Sequence, residues 1–258
     1  MDLQGRGALV TGGSGDLGTA ICRALAQAGC DVAVGYVGNR DGALKTGQLV
    51  ETLGRRACAV KLDQSDASAV DGAVARAHGE LGRLDVLVNN AAWNIGIPFP
   101  ELDALTVEIW DRIFNTNVRG PFQLARAAAV HMRNAGAGRI VNIASVAGPG
   151  PTGSSIAYAS SKAALIHLTR CLAVALAPAI TVNCVAPGLI EGTRMAARLP
   201  QAVVDRARAG VVLGRTSSAV DIAEQVVTFC RSDSITGQVL VIDGGVTLQG
   251  PERDSAAQ

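Results

Sequence analysis

Gly7-Ala8-Leu9-Val10-Thr11-Gly12-Gly13-Ser14-Gly15-Asp16-Leu17-Gly18 opens on a short apolar run and passes straight into glycines. A helix is expected next, from Thr19 to Ala28, with Gly29 as its stop. Strand, glycine-rich turn and helix in that order make a phosphate site. Glycines let the backbone approach a pyrophosphate, and the helix N-terminus offers N–H donors and a positive dipole. A Gly-x-Gly-x-x-Gly string is weak on its own; here it sits between the two elements that should flank it.

The next apolar run, Asp31-Val32-Ala33-Val34-Gly35-Tyr36, reads as a strand. In a dinucleotide site the adenosine ribose is read from the end of this strand, where an acid holds the 2′-hydroxyl of NAD. Here Tyr36-Val37-Gly38-Asn39-Arg40 follows, with no acid before Asp41. Arg40 could instead meet a 2′-phosphate, which favours NADP and leaves NAD possible. Strands and helices then alternate. A helix is expected over Arg40 to Leu53, a strand over Ala57 to Leu62, a helix over Ser65 to Leu81 and a strand over Leu84 to Val88. That alternation implies a parallel sheet covered on both faces. Asp63 and Asn90 follow strand ends, the edge where ligands bind; either could equally be a turn residue.

Trp93 to Pro100 is a loop, followed by a helical stretch from Leu105 to Ala135 that Asn115-Thr116-Asn117-Val118-Arg119-Gly120 interrupts. A glycine in mid-helix costs up to about 1 kcal/mol, so a packing or functional reason is expected there. Ile140 to Ala144 reads as a strand ending at Ser145. Beyond a Gly/Pro/Ser loop come Tyr158 and Lys162, four apart. On a helix that spacing stacks both side chains on one face. A free phenol has a pKa near about 10 and is a poor acid–base catalyst at neutral pH. An ammonium about 4 Å away would stabilise the phenolate by up to roughly 4 kcal/mol, which predicts a lowered pKa for Tyr158. The helix should run to about Ala177, and Ile180 to Val185 should be a strand. Residues 189–215 lose regularity and suit a lid over a pocket. A helix over Ala219 to Cys230 and a strand over Gln238 to Ile242 close the pattern, leaving a polar tail at 251–258.

Composition narrows the class. With 48% hydrophobic and 17% charged residues, 258 residues can build a large core, and aromatics at 3% leave it to Val, Ile, Leu and Ala. A net charge of +1 gives no argument for nucleic acid or an anionic membrane. The Met1-Asp2-Leu3-Gln4 start does not look like a signal peptide, and no apolar stretch is long enough to span a bilayer. The 6 cysteines show no paired spacing and read as free thiols in a reducing cytoplasm; His78, His131 and His167 show no metal-ligand spacing.

The whole pattern resembles the short-chain dehydrogenase/reductase family. The matching residues are Thr11-Gly12 to Gly18, Asp63, Asn89-Asn90-Ala91, Asn117, Ser145, Tyr158 and Lys162, Pro187-Gly188, Thr236-Gly237 and Asp243-Gly244-Gly245. Ser145 and Tyr158 are thirteen apart (158 − 145), as in the family. The resemblance implies one doubly wound α/β Rossmann domain over 1–250, with seven parallel strands in the order 3-2-1-4-5-6-7. It implies a homotetramer and a tetrad of Asn117, Ser145, Tyr158 and Lys162. A cofactor would then meet Gly12, Ser14, Gly15, Asp16, Leu17, Gly18, Tyr36, Asn39, Arg40, Asp63, Asn90, Ala91, Ala92, Tyr158, Lys162, Pro187, Gly188, Ile190 and Thr193. Three positions depart from the pattern. Asp16 stands where the family has glycine; it is expected to cap the helix and to oppose the phosphates by charge. Gly15 stands where many NADP-using members are basic. Gly192 displaces Thr193 from its usual place.

The expected function is hydride transfer between NADP(H) and a ketone or secondary alcohol. Tyr158 would be the acid, Ser145 would bond the substrate oxygen, and Asn117 would hold a water. Trp93, Ser145, Ile156, Tyr158, Leu189 and Met195 would line the pocket. A 3-oxoacyl-acyl-carrier-protein reductase is the alternative, although charge is thin around Asn134 to Ala137. A non-catalytic NADP-binding regulator is a third reading.

Overall fold

Alternate residues of a strand face opposite sides, and here both sides are apolar. In the computed structural model, which describes residues 1–198 and 201–248, they supply two cores. The strands are β1 (Gly7–Val10), β2 (Asp31–Tyr36), β3 (Ala57–Lys61), β4 (Val86–Asn89), β5 (Gly138–Ile143), β6 (Ile180–Pro187) and β7 (Val239–Ile242). They form one parallel sheet in the order β3-β2-β1-β4-β5-β6-β7. Val10, Val34, Val88, Val141 and Val185 go to one face; Leu9, Ala33, Leu87, Ile140 and Val182 go to the other.

The first face is covered by α1 (Asp16–Gln27), α2 (Arg40–Thr52) and the late helix over Ala219–Arg231. The second is covered by α3 (Ala67–Leu81) and by helices over Gly120–Asn134 and Ile156–Leu176. Each fully buried Val, Leu or Ile contributes about 1.5–3 kcal/mol of hydrophobic free energy. Phe229 is the aromatic among the buried members of these clusters, as the composition requires. Strand order reverses between β1 and β4, and ligands of such sheets bind outside the strand C-termini at that point.

Three elements differ from the sequence reading. Helix α1 starts at Asp16 rather than Thr19, because Gly18 already packs in its first turn: a Cβ there would stand 2.2 Å from the Gly12 carbonyl. The stretch read as one interrupted helix is α4 (Val107–Phe114), a π turn at Asn115–Arg119 and α5 (Gly120–Asn134). The widened turn aims Asn117 inward, and Gly120 is required because a Cβ there would meet the Gln64 carbonyl at 2.7 Å. Helix α6 (Ile156–Leu176) follows β5. The region expected to lack regular structure holds α7 (Gln201–Ala209), whose nine residues are too few to show a period; α8 (Ala219–Arg231) comes after it. Leu199-Pro200 within the expected lid and the tail from 249 onward lie outside the described residues. No helix among the described residues is long and apolar enough to cross a membrane.

Candidate active site

The C-terminal edge of the sheet is clamped before any ligand is considered. Thr11 Oγ1, at the end of β1, accepts from the main-chain N–H groups of Asn90 and Ala91 at 3.0 and 2.9 Å. Asn90 Nδ2 returns bonds to the carbonyls of Thr11 (2.9 Å) and Gly12 (3.3 Å). This reciprocal pairing holds the glycine turn against the loop after β4. Gly15 is the N-cap of α1, and no side chain caps it, so the first-turn N–H donors stay open toward the edge.

The second cluster is built on α6. Ser155 caps that helix by accepting from the Tyr158 N–H at 3.1 Å. Tyr158 therefore lies in the first turn, and Lys162 lies one turn further on the same face. The Lys162 ammonium donates to the Ile143 carbonyl at 2.9 Å and sits 5.6 Å from the Tyr158 ring centroid. Asn117 reaches in from the π turn. Its Oδ1 accepts from the Trp93 N–H (2.9 Å), and its Nδ2 donates to Trp93 O (3.0 Å) and Ser161 Oγ (3.1 Å). Ser161 donates to Tyr158 O at 2.7 Å, so one chain of bonds joins Asn117 to the turn that carries the phenol. The Ser145 hydroxyl accepts from the Ala147 N–H at 3.2 Å and lies near enough to the Tyr158 phenol to favour its ionised form.

The electrostatics correct one expectation. Burial pushes the Tyr158 phenol up from 10, and the neighbouring Ser145 hydroxyl offsets only part of that. The ammonium reaches toward the ring face and a carbonyl rather than forming a close pair with the hydroxyl, so desolvation wins. The same burial brings Lys162 down from 10.5 to about 8. Burial thus drives phenol and amine apart in acidity, and for the phenol the shift runs opposite to the sequence reading.

A sequence model described as short chain dehydrogenase matches residues 6–203. The chain belongs to that family. The 3-oxoacyl-acyl-carrier-protein reductase of Thermotoga maritima is 36% identical over 262 residues, 96% of this chain and 100% of that one. A short chain dehydrogenase from Burkholderia cenocepacia, solved in complex with NADP, is 40% identical at a TM-score of 0.87, with 96% and 100% of the two chains covered. An NAD+-bound xylitol dehydrogenase is 30% identical at a TM-score of 0.89, covering 95% and 100%. This short-chain dehydrogenase is accordingly an oxidoreductase that acts on CH–OH or C=O groups with a nicotinamide cofactor.

The uncapped start of α1 fits a dinucleotide pyrophosphate: open N–H donors face a glycine turn that carries no bulk. Around it, several residues expected at the cofactor are seen in other roles. Asp16 does not cap the helix; it is the first helical residue, and its Oδ2 accepts from the Arg194 N–H at 2.7 Å. The Arg194 guanidinium stands beside the same carboxylate, Nε lying 3.3 Å from Oδ1, and offsets the expected repulsion toward phosphate. Asp63 accepts from Ser65 N and Oγ at 2.9 and 2.6 Å, which is a turn. Asn39 caps α2 through Gly42 N (3.0 Å) and donates to Ser14 O (3.4 Å). Arg40 is exposed in the first turn of α2. Thr193 is engaged locally with Ile190 O (2.8 Å) and Ala196 N (3.2 Å), while Gly192 before it takes φ +75°. Tyr36 ends β2, Ala92 is half-buried, and Leu17 and Ile190 pack on the first core. Pro187 ends β6, and Gly188 N donates to Ile242 O at 2.8 Å. Of the expected pocket, Trp93 has its ring 4.2 Å from the Arg112 guanidinium, Ile156 and Leu189 are half-buried, and Met195 is exposed.

Other positioning residues escaped the sequence reading. A buried chain runs from Asn89 Nδ2 to Asn142 Oδ1 (2.8 Å) and from Asn142 Nδ2 to Thr169 Oγ1 (2.9 Å), pinning β4, β5 and α6. Gln64 Nε2 donates to Ala91 O (3.0 Å) and Thr116 O (2.7 Å). Ser155 carried a usable signal, a serine three residues before Tyr158 at a helix start. Ser161, Gln64, Asn142 and Thr169 carried none, since each acts across elements.

Proposed function

We propose that this short-chain dehydrogenase reduces a ketone to a secondary alcohol with NADPH. The observation that carries the reading is the Tyr158 phenol, beside Ser145 and flanked by Lys162, at the strand edge beside the uncapped turn. The nicotinamide, when bound, supplies the hydride. Tyr158 gives its proton to the substrate oxygen, and Ser145 steadies that oxygen as charge develops on it. Lys162 holds the proton that restores the phenol and would bind the nicotinamide ribose. Asn117 fixes the 93–117 loop contact and would hold the resupplying water. Burial keeps the phenol protonated at neutral pH, the form reduction needs, and at the same time makes its proton harder to give.

NADP over NAD is supported by the lack of an acid between Tyr36 and Asp41 and by the NADP complex of the 40%-identical relative; the NAD+-bound relative keeps the comparison open to test. Residues 1–250 are read as one domain, with the lid at 189–215. A homotetramer is supported by the exposed apolar side chains Val107, Trp110, Phe122 and Val130 along α4 and α5. The free cysteines suit a reducing cytoplasm: burial pushes the Cys58 and Cys184 thiols up to about 11. The full-length similarity to the Thermotoga maritima reductase favours 3-oxoacyl substrates as a second reading. Purified protein offered NADPH with a panel of ketones, including a 3-oxoacyl thioester, tests all three readings. Oxidation of NADPH by a ketone is expected; tight NADPH binding with no turnover on any ketone would leave the regulator.

A further inference from the structure

The limb that leaves β6 turns back across the glycine turn, and Arg194 is where it lands. Its main-chain N–H donates to Asp16 Oδ2 at 2.7 Å, Nε reaches the same oxygen at 3.4 Å, and Asp16 Oδ1 lies 3.3 Å away. Its Nη2 donates to Ser14 O at 3.2 Å and stands 4.0 Å from the place a Cβ on Gly15 would occupy. The guanidinium therefore covers the turn at the residue that carries no side chain of its own. Below, Glu191 braces the limb: its carboxylate accepts from Arg208 and from Thr216 Oγ1, and these contacts hold it down to a pKa of about 2.

Arg194 also forms one wall of a cleft of about 370 Å³. The other walls are Ser14, Thr19, Asn39, Asp41, Gly42, Lys45 and Thr46. This cleft lies between the glycine turn and the first turns of α2, beside the C-terminal end of β2. The pyrophosphate belongs at the start of α1, on the near side of Ser14; the cleft is where the adenosine ribose of a dinucleotide is read. Two cations, Lys45 and Arg194, face it against one carboxylate, Asp41. Arg40, the residue the sequence suggests, is exposed and is not among the cleft-lining residues.

We infer that Arg194, carried in by the lid and seated by Asp16, is the residue that selects the cofactor's 2′-phosphate, with Lys45 opposite it. Selectivity then requires the limb to be down, so lid closure and phosphate recognition are one event. Asp16 contributes twice. Through the Arg194 N–H it holds the limb, and through its carboxylate it keeps the guanidinium over Gly15 until a phosphate competes for it. An exposed pair of this kind biases an equilibrium by only about two- to fivefold, which lets the lid open for release.

The inference rests on the NADP reading above. Dissociation constants of NADPH and NADH, measured by fluorescence titration without substrate, separate the two. Wild type is expected to prefer NADPH. Arg194→Gln and Lys45→Gln should each weaken NADPH by about tenfold or more, the effect of one charge-assisted phosphate bond, and change NADH less than about twofold. Unchanged NADH binding also shows that the variants fold. Asp16→Asn should weaken NADPH by about two- to fivefold, and Arg40→Ala by less than Arg194→Gln. Adenosine 2′,5′-bisphosphate should compete better than AMP in wild type and lose that advantage in Arg194→Gln. A wild type that prefers NADH overturns the NADP reading and this inference together. A wild type that prefers NADPH, with Arg194→Gln weakening both cofactors equally or neither, overturns this inference alone.

Discussion

Lys162 and Arg194 stand at two ends of the candidate site and live in opposite media. Lys162 is 2% exposed, is bonded to a carbonyl, and has no carboxylate partner among the described residues; its pKa falls to about 8. The Arg194 side chain is 61% exposed and meets a carboxylate that is itself 39% exposed. The first site stores free energy in desolvation and is held rigidly by β5 and α6. The second is worth little in any one contact and rests on exposed side chains. Chemistry that needs a tuned proton is built where water is excluded; selection of a solvent-borne phosphate is built where water and salt reach.

The largest separation of the two ends should come from Tyr158→Phe. It keeps the ring, the α6 packing and the face toward Lys162 but removes the proton that is transferred. Turnover should fall by about 10² or more, while the NADPH dissociation constant stays near wild type. Turnover near the wild-type rate would remove Tyr158 from the mechanism.

Next comes the cost of the buried charge itself. Between pH about 8 and 10.5 the unfolded chain keeps a proton on Lys162 that the folded chain releases. Stability should therefore rise with pH across that window, and at pH 7 the charged amine should oppose folding by about 3 kcal/mol before its bond to Ile143 is credited. Lys162→Met should abolish turnover, raise the denaturation midpoint at pH 7 and flatten that rise. Urea titrations at pH 7 and 9.5 measure it; a variant less stable than wild type at pH 7 would show that the Ile143 bond outweighs desolvation. The raised phenol predicts the matching kinetics: reduction nearly flat from pH 6 to 8, with oxidation of the alcohol climbing over the same range as the base form of Tyr158 becomes accessible. Oxidation that is flat there would mean the phenol titrates lower in the complex.

These two ends also differ in how they can be read from the chain. Tyr158 and Lys162 are related by helix geometry, and the strands around them by alternation, so covalent spacing alone puts them together. The parallel sheet followed from the same alternation, and the strand order from the family resemblance. Asp16 and Arg194 are 178 residues apart and meet only because a limb folds back, which no local period encodes. The same holds for Gln64, which ties Ala91 to Thr116, and for the Asn89–Asn142–Thr169 chain. Helix α7 was missed for another reason. Its nine residues, Gln-Ala-Val-Val-Asp-Arg-Ala-Arg-Ala, are too few to show a face. The direction of the Tyr158 shift was misread because proximity was weighed and burial, invisible in a spacing, was not.

The smallest effect sets a cap against a charge. Ser155 is a neutral cap, fully buried, accepting from the Tyr158 N–H. Ser155→Ala should cost about 1 kcal/mol of stability, since the lost acceptor leaves a buried donor unpaired. Neither the donor nor the lost acceptor is charged, so the loss should be the same at low and high salt. Asp16 is an exposed carboxylate in the first turn of α1, and Gly15 holds the cap position. Asp16→Asn gives up a favourable term with the helix dipole and a surface ion pair with Arg194, each a few tenths of a kcal/mol, so about 0.5 kcal/mol at low salt. At 1 M salt the screening length drops to about 3 Å, close to the pair's own separation, and most of that difference should disappear. Urea titrations of both variants at 20 mM and 1 M sodium chloride decide it. A loss near 1 kcal/mol in Asp16→Asn that persists at 1 M would mean that the carboxylate acts through hydrogen bonds to Arg194 that an amide does not replace, and that Arg194 is seated by something other than screened charge.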